Sequence, residues 1–274
     1  MEGTELGRLL AQPEGKIDLG RGALLLARTE YPDLDVDAEL ARLDRLAVEA
    51  TPAVEAQQDA VWRVSALRSF LAGDCGFRGN EQDYYDPKNS CLNQVLESRT
   101  GIPITLSVVY MEVGRRLGLP LFGVGLPGHF LVKHQARGQT LFLDPFHEGR
   151  TVTPAECREM VETMYQGKVP FQTSFLAAVD KRYILLRMLN NLRGIYLHRQ
   201  QLQKALRVVE MILVITPDSA EDFKQRGLIH YRLKNYRQAR QDLESCLFLS
   251  PRADGAEEVQ KTLQELKRFS AMLN

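Results

Sequence analysis

Residues Gly101 to Pro145 constrain this chain more than any other stretch. The run GIPITLSVVYMEVGRRLGLP carries Pro103 where a helix can begin, because the N–H that proline lacks is not needed in a first turn. Ile104, Leu106, Val108, Val109, Met111, Val113 and Leu117 then surround the predicted helix almost completely. A helix apolar on most sides has to be buried. Arg115 and Arg116 suit its C-terminus, and Gly118 suits the position just past it. Leu119 to Leu126 reads as a strand interrupted by Gly123 and Gly125. A hairpin follows, Phe130–His134 and Gln139–Leu143, with His129 just before one arm and Asp144 just after the other.

The register of that hairpin decides whether His129 and Asp144 meet. With Gln135–Gly138 as a four-residue loop, His134 pairs with Gln139 and His129 faces Asp144 on one side of the ladder. A loop one residue longer sends them to opposite faces. Gly138 suits the left-handed position that ends such a loop. A His–carboxylate pair is therefore expected. The lone-histidine alternative is a core residue held by a hydrogen bond.

Residues before this centre read as helical. Asp18 caps GRGALLLARTE, which Pro32 stops. Leu40, Leu43, Leu46 and Ala47 share one face of Val36–Ala50, with Pro52 expected to break it. Val61, Val64, Leu67 and Phe70 share another face between Val54 and Ala72. Three glycines with Asp74 and Asn80 make residues 73–80 a loop. Asn89 or Ser90 is expected to cap a short helix, CLNQVLESR, which puts Cys91 in its first turn. That position lowers a thiol pKa, although a buried cysteine is more often an apolar filler. Thr153, Pro154 and Glu156 mark one further helix start.

From Ile184 the pattern changes to a repeat of 34 residues. Ala205 and Ala239 share that offset, as do Pro217 and Pro251, Tyr196 and His230, Val209 and Leu243, and Ile212 and Cys246. Small Ala in the second helix and Pro at its end mark the tetratricopeptide (TPR) pattern. The second copy matches better, with Phe223 at the Trp position and Gly227 at the close-packing position, whereas Gly194 is displaced by one. A last helix, Glu257 to Leu273, is expected to cap the stack. Each repeat is a helix pair that needs a neighbour to bury its face. Two copies are few, so the module is expected to dock on the rest of the chain or on a protein or peptide partner.

Bulk properties exclude some classes. The 274 residues carry 35 basic and 35 acidic side chains, so no net positive field favours nucleic acid or an anionic membrane. No apolar run approaches the roughly 20 residues that span a bilayer. MEGTELGRLLAQPEGK has no apolar h-region. The four cysteines have no metal-ligand spacing and read as thiols of a reducing compartment rather than disulfides. A cytoplasmic location is expected. GVGLPG leads into a strand rather than a helix, which removes a phosphate loop.

The segments GIPITLSVVYMEVGRRLGLP, GVGLPGHFLV and LFLDPF, followed by the repeat, resemble the bacterial SirB-type family. That family joins a transglutaminase-like core, related in fold to papain-type peptidases, to C-terminal TPR repeats. The resemblance spans nearly the whole chain. It implies an α+β fold with a helical N-terminal cap and transglutaminase-like core over 1–180, then an all-α TPR-like module over 181–274. In the wider superfamily a Cys at the start of the central helix attacks an acyl group, a strand His acts as base, and an Asp orients it. His129 and Asp144 match. The Cys position falls at Pro103–Thr105, where no Cys stands, and Cys91 is the nearest thiol.

Two functional readings result. In the first, the core is catalytically silent and the repeats serve protein–protein interaction or regulation. In the second, Cys91, His129 and Asp144 form a relocated triad of a cysteine hydrolase or acyltransferase. A metal site from His129, Asp144 and His147, with His134 turned to the other strand face, ranks below both. No cofactor and no metal are expected, and oligomeric state is not readable.

Overall fold

The computed structural model describes residues 4–136, 138–251 and 255–272. Among them lie twelve α-helices and six short strands. Two compact units form, Gln12–Met188 and Met1–Ala11 with Leu189–Asn274. The first helix, α1 (Glu5–Leu10), belongs with the second unit.

In the unit 12–188, α2 (Leu19–Ala27) is capped by Asp18, whose side chain accepts from the Arg21 N–H at 2.8 Å. Asp35 caps α3 (Val36–Glu55) in the same way. Pro52 does not break α3 as expected; it sits inside the helix. A proline there removes one hydrogen bond only, and burial of Ala50 and Val54 on either side holds the last turn in place. The third apolar segment starts later than expected, because Asp59 caps α4 (Ala60–Arg68). A π-helical turn over Ser69–Asp74 follows.

The expected loop at 73–80 contains β1 (Arg78–Gly79), which pairs in parallel with β2 (Thr100–Gly101). Between them a 3₁₀ turn, Pro87–Ser90, is capped by Asp86, and α5 (Leu92–Ser98) begins one residue later than expected, with Cys91 as its N-cap. The central helix α6 (Pro103–Arg116) has Pro103 in its first turn and every residue from Pro103 to Gly114 buried. Its one buried charge, Glu112, is held by Arg116 at 2.6 Å and Arg115 at 3.0 Å. Gly118 takes φ +69° just past the helix.

A four-stranded antiparallel sheet follows: β3 (Leu121–Val124), β4 (Leu131–Ala136), β5 (Gln139–Asp144) and β6 (Arg150–Val152), in sequential order. The β4–β5 pairing joins Ala136 to Gln139, His134 to Leu141 and Val132 to Leu143. The connection is thus two residues long, not four, with Gly138 at φ +80°; Arg137 lies outside the described residues. Leu131 and Phe142 pack with Val152 and with Cys157 and Val161 of α7 (Pro154–Met164). Val132 and Leu143, on the opposite face by alternation, are buried as well. The central helix packs against β3, β4 and the turn after β5. A Thr153–Glu156 capping box starts α7. Such a cap stabilises a helix by about 1 kcal/mol.

Next, α8 (Lys181–His198) runs across the division between the units. The repeat unit is built from its end, α9 (Leu202–Ile215), α10 (Ala220–Arg232), α11 (Tyr236–Leu249) and α12 (Ala256–Met272). Ala205 and Ala239 are fully buried, as the repeat requires. At Gly227 an added Cβ would lie 2.8 Å from Leu243, so this glycine lets α10 and α11 approach closely. The space beside Gly194 is open, in keeping with its displaced position. The expected last residue of α12, Leu273, lies outside the described residues.

Candidate functional site

Asp144 ends β5 and has no exposed surface. The next residue, Pro145, opens a 3₁₀ turn over Pro145–His147. That turn brings His147 back over the carboxylate, three residues on, and aims the Phe146 N–H at it. One oxygen, Oδ1, accepts from His129 Nε2 at 2.9 Å and from the Phe146 N–H at 3.2 Å. The other, Oδ2, accepts from His147 Nδ1 at 2.6 Å, with Arg150 Nε at 3.9 Å. An ionised carboxylate only accepts, so both ring nitrogens carry the protons. In the neutral form of each ring, the lone pair lies on His129 Nδ1 and on His147 Nε2.

Burial raises the Asp144 pKa, and the hydrogen bonds and charges of His129 and His147 more than reverse it, so the carboxyl lies below its ordinary value. The backbone is fixed from two directions. The Gly149 N–H donates to the Asp144 carbonyl at 2.8 Å. On the other side, the Arg187 guanidinium donates to the carbonyls of Leu126 at 2.9 Å and His129 at 2.7 Å, and lies over the Phe130 ring. It clamps the turn that delivers His129 to the sheet.

The His129 ring meets Phe146 edge-on, with ring centres 6.2 Å apart, and Phe146 lies against Gly79 of β1. His129 and His147 border a cavity of about 400 Å³ whose far wall is the Glu156–Met164 face of α7. A larger polar cleft of about 730 Å³ lies on the other side of His147, between β1 and the turn after β5.

Of the sequence-expected site residues, His129 and Asp144 are therefore brought together. Cys91 is fully buried at the N-cap of α5. No water-accessible thiol surface remains there. The start of α6 carries Pro103, Ile104 and Thr105, all buried. The Thr105 hydroxyl has no hydrogen-bond partner among the described residues, so no base is poised to activate it. His134 is turned away as expected, with its Nδ1 against the Pro120 carbonyl at 3.1 Å.

A His in the turn before one strand and an Asp at the end of the next, beside a buried central helix, are the frame of one superfamily, and comparison with known proteins bears on it directly. The profile of the transglutaminase-like superfamily matches residues 37–190, and that of the tetratricopeptide repeat matches 192–264. A UPF0162 protein of Xylella fastidiosa (strain 9a5c) is 39% identical over 249 residues, covering 89% of this chain and 88% of the relative. The chain belongs to the UPF0162, SirB-type family of the transglutaminase-like superfamily.

Other UPF0162 proteins extend the match; that of Vibrio cholerae is 28% identical over 90% of this chain and 91% of its own. Human F-box only protein 21 is 30% identical over 62% of this chain and 28% of its own. A crystal structure of menin overlaps 96% of this chain and 73% of menin's, but at a TM-score of 0.41 and 11% identity it bears on neither fold nor function. The α+β core followed by TPR repeats is thus the family's architecture.

Two groups in this UPF0162 site were not part of the sequence-expected triad. His147 was legible as a ligand candidate from its spacing, i and i+3 from Asp144 across a Pro. Arg187 had no such signal, because it comes from a helix some sixty residues away from the carbonyls it binds.

Proposed function

We propose that this UPF0162 protein does not perform cysteine chemistry and acts in the cytoplasm as a protein-binding or regulatory factor through its TPR repeats. One observation carries the reading: the helix start that should supply the nucleophile presents Pro103, Ile104 and Thr105, while Cys91 has no exposed surface. A thiolate attacks only where an acyl group can reach it. The His129–Asp144 pair is then a retained part of the frame that holds the sheet to the turn at 145–147. The alternative, a hydrolase or acyltransferase built on Cys91, His129 and Asp144, requires a rearrangement that exposes α5.

Alkylation of the native chain separates the two. Half-exposed Cys75 is expected to react first, and Cys91, Cys157 and Cys246 only after unfolding. Rapid labelling of Cys91 in the folded protein, together with acyl-transfer or hydrolase activity lost in Cys91→Ala, would sink the silent reading. For the interaction role, chemical crosslinking of the full chain in cells is expected to place partner crosslinks on residues 189–272. Crosslinks confined to the core instead would refute it.

A further inference from the structure

We infer that His129, Asp144 and His147 form a binding site for a single divalent transition-metal ion, open towards the cavity bordered by α7. The three offer one ligand atom each, and these atoms lie within 4.8 Å of one another. A tetrahedral ion with bonds of about 2.0 Å holds its ligand atoms about 3.3 Å apart. Whichever carboxylate oxygen takes the ion, one edge of that triangle is nearly in place, at 2.9 Å between His129 Nε2 and Asp144 Oδ1 or 2.6 Å between His147 Nδ1 and Asp144 Oδ2. That edge needs to open by a few tenths of an ångström. The other two close by at most about 1.5 Å.

Rotation of the half-exposed His147 ring supplies that movement, since its side chain keeps 43% of its accessible surface. No net proton has to leave. Each neutral imidazole moves its proton to the other ring nitrogen, and the ion takes the place of the N–H that Asp144 accepted. The site has supports of its own. The Phe146 N–H remains on Oδ1, and Arg187 holds the His129 carbonyl. Such outer contacts orient ligands.

Charge around the site points the same way, with one opponent. Glu156 and Glu159 stand in the cavity wall. Arg150 lies 3.9 Å from Asp144 Oδ2 and 3.9 Å from Glu156 Oε1. Its side chain is 48% exposed and is free to swing to Glu156 when a cation enters. Three protein ligands with an open side towards a cavity is the pattern of a site that keeps a position for water or a small ligand. Two imidazoles and one carboxylate select Zn²⁺, Co²⁺, Ni²⁺ or Fe²⁺ over Mg²⁺ or Ca²⁺.

The test is calorimetric titration of the untagged, chelator-stripped full chain with Zn²⁺, and with Mg²⁺ in parallel. One equivalent of Zn²⁺ is expected to bind, with no heat from Mg²⁺. His147→Ala and His129→Ala are each expected to weaken binding by at least about tenfold, the low end of what loss of an outer-shell partner costs. Arg150→Ala is expected to tighten it. Absence of Zn²⁺ binding, equal binding of Mg²⁺, or unchanged affinity in both histidine variants overturns the inference. Should His129→Ala fail to fold, His147→Ala, which alters a half-exposed side chain, decides alone.

Discussion

Replacement of Asp144 separates the two ways in which its carboxylate can matter. Asp144→Ala removes the acceptor of the buried His129 N–H and of the Phe146 N–H, while His147 can turn to water. An unsatisfied buried donor costs about 1–3 kcal/mol. Two of them put Asp144→Ala at about 3–5 kcal/mol. Asp144→Asn keeps Oδ1 as the acceptor for His129 and Phe146. Its amide then faces His147 Nδ1, which becomes an acceptor by shifting its proton to the exposed Nε2. Only charge assistance is lost, about 1–2 kcal/mol. The gap between the two variants is therefore about 2 kcal/mol or more. Urea unfolding measures it, followed by circular dichroism together with the fluorescence of the one tryptophan, Trp62, which lies in the unit 12–188. Equal destabilisation by the two substitutions would refute the reasoning. So would a loss below about 1 kcal/mol in Asp144→Ala. The pH dependence adds a check with a definite sign. The folded pKa of Asp144 is lowered, so its contribution is fully present above the unfolded value near about 3.9 and is lost as pH falls through the folded value. The advantage of the native chain over Asp144→Asn should shrink in acid.

Three further substitutions probe how the site is held. Arg187→Ala removes two charge-assisted bonds to the carbonyls of Leu126 and His129, and is expected to cost about 2–4 kcal/mol in the same Trp62 assay. Gly79→Ala places a Cβ 2.6 Å from the Phe146 ring, an overlap expected to cost about 1–3 kcal/mol and to shift the His129 ring resonances in NMR spectra. Gly227→Ala puts a Cβ 2.8 Å from Leu243, and is expected to speed hydrogen exchange across α10 and α11 while leaving the Trp62 transition unmoved.

The hairpin shows how a fold can be read correctly through a wrong detail. The expected four-residue loop paired His134 with Gln139; the observed pairing joins His134 to Leu141. That is a slip of two residues. Side chains alternate with a period of two, so a slip of two leaves every residue on its expected face. His129 and Asp144 met for that reason, even though His129 sits in the turn before β4 and not in the strand. The all-round apolar pattern of α6 and the 34-residue offset were equally robust, because burial on every side and repeated packing leave their mark on many residues at once. Boundaries fared worse. Pro52 and the starts of α4 and α5 were misplaced because single capping residues and the packing around them, not periodicity, decide where a helix begins and ends.

The site divides along the same line. A carboxylate that ends a strand before Pro145 and a histidine three residues later are local features, and the chain carries them in plain view. Accessibility is not local. Cys91 reads as an activated thiol when only its place at a helix start is considered, because helix dipole and N–H groups favour a thiolate there. Its actual environment includes α2 and α6 packed against α5, elements that come from before and after it in the chain. With those in place its accessible surface falls to zero. The same long-range packing delivers Arg187 to the carbonyl of His129, and it leaves His147 half-exposed beside the buried Asp144. Burial of the thiol and of the α6 start leaves the His–Asp–His cluster open through His147, towards the cavity bordered by Glu156 and Glu159 on one side and the cleft lined by Arg78 and Glu81 on the other.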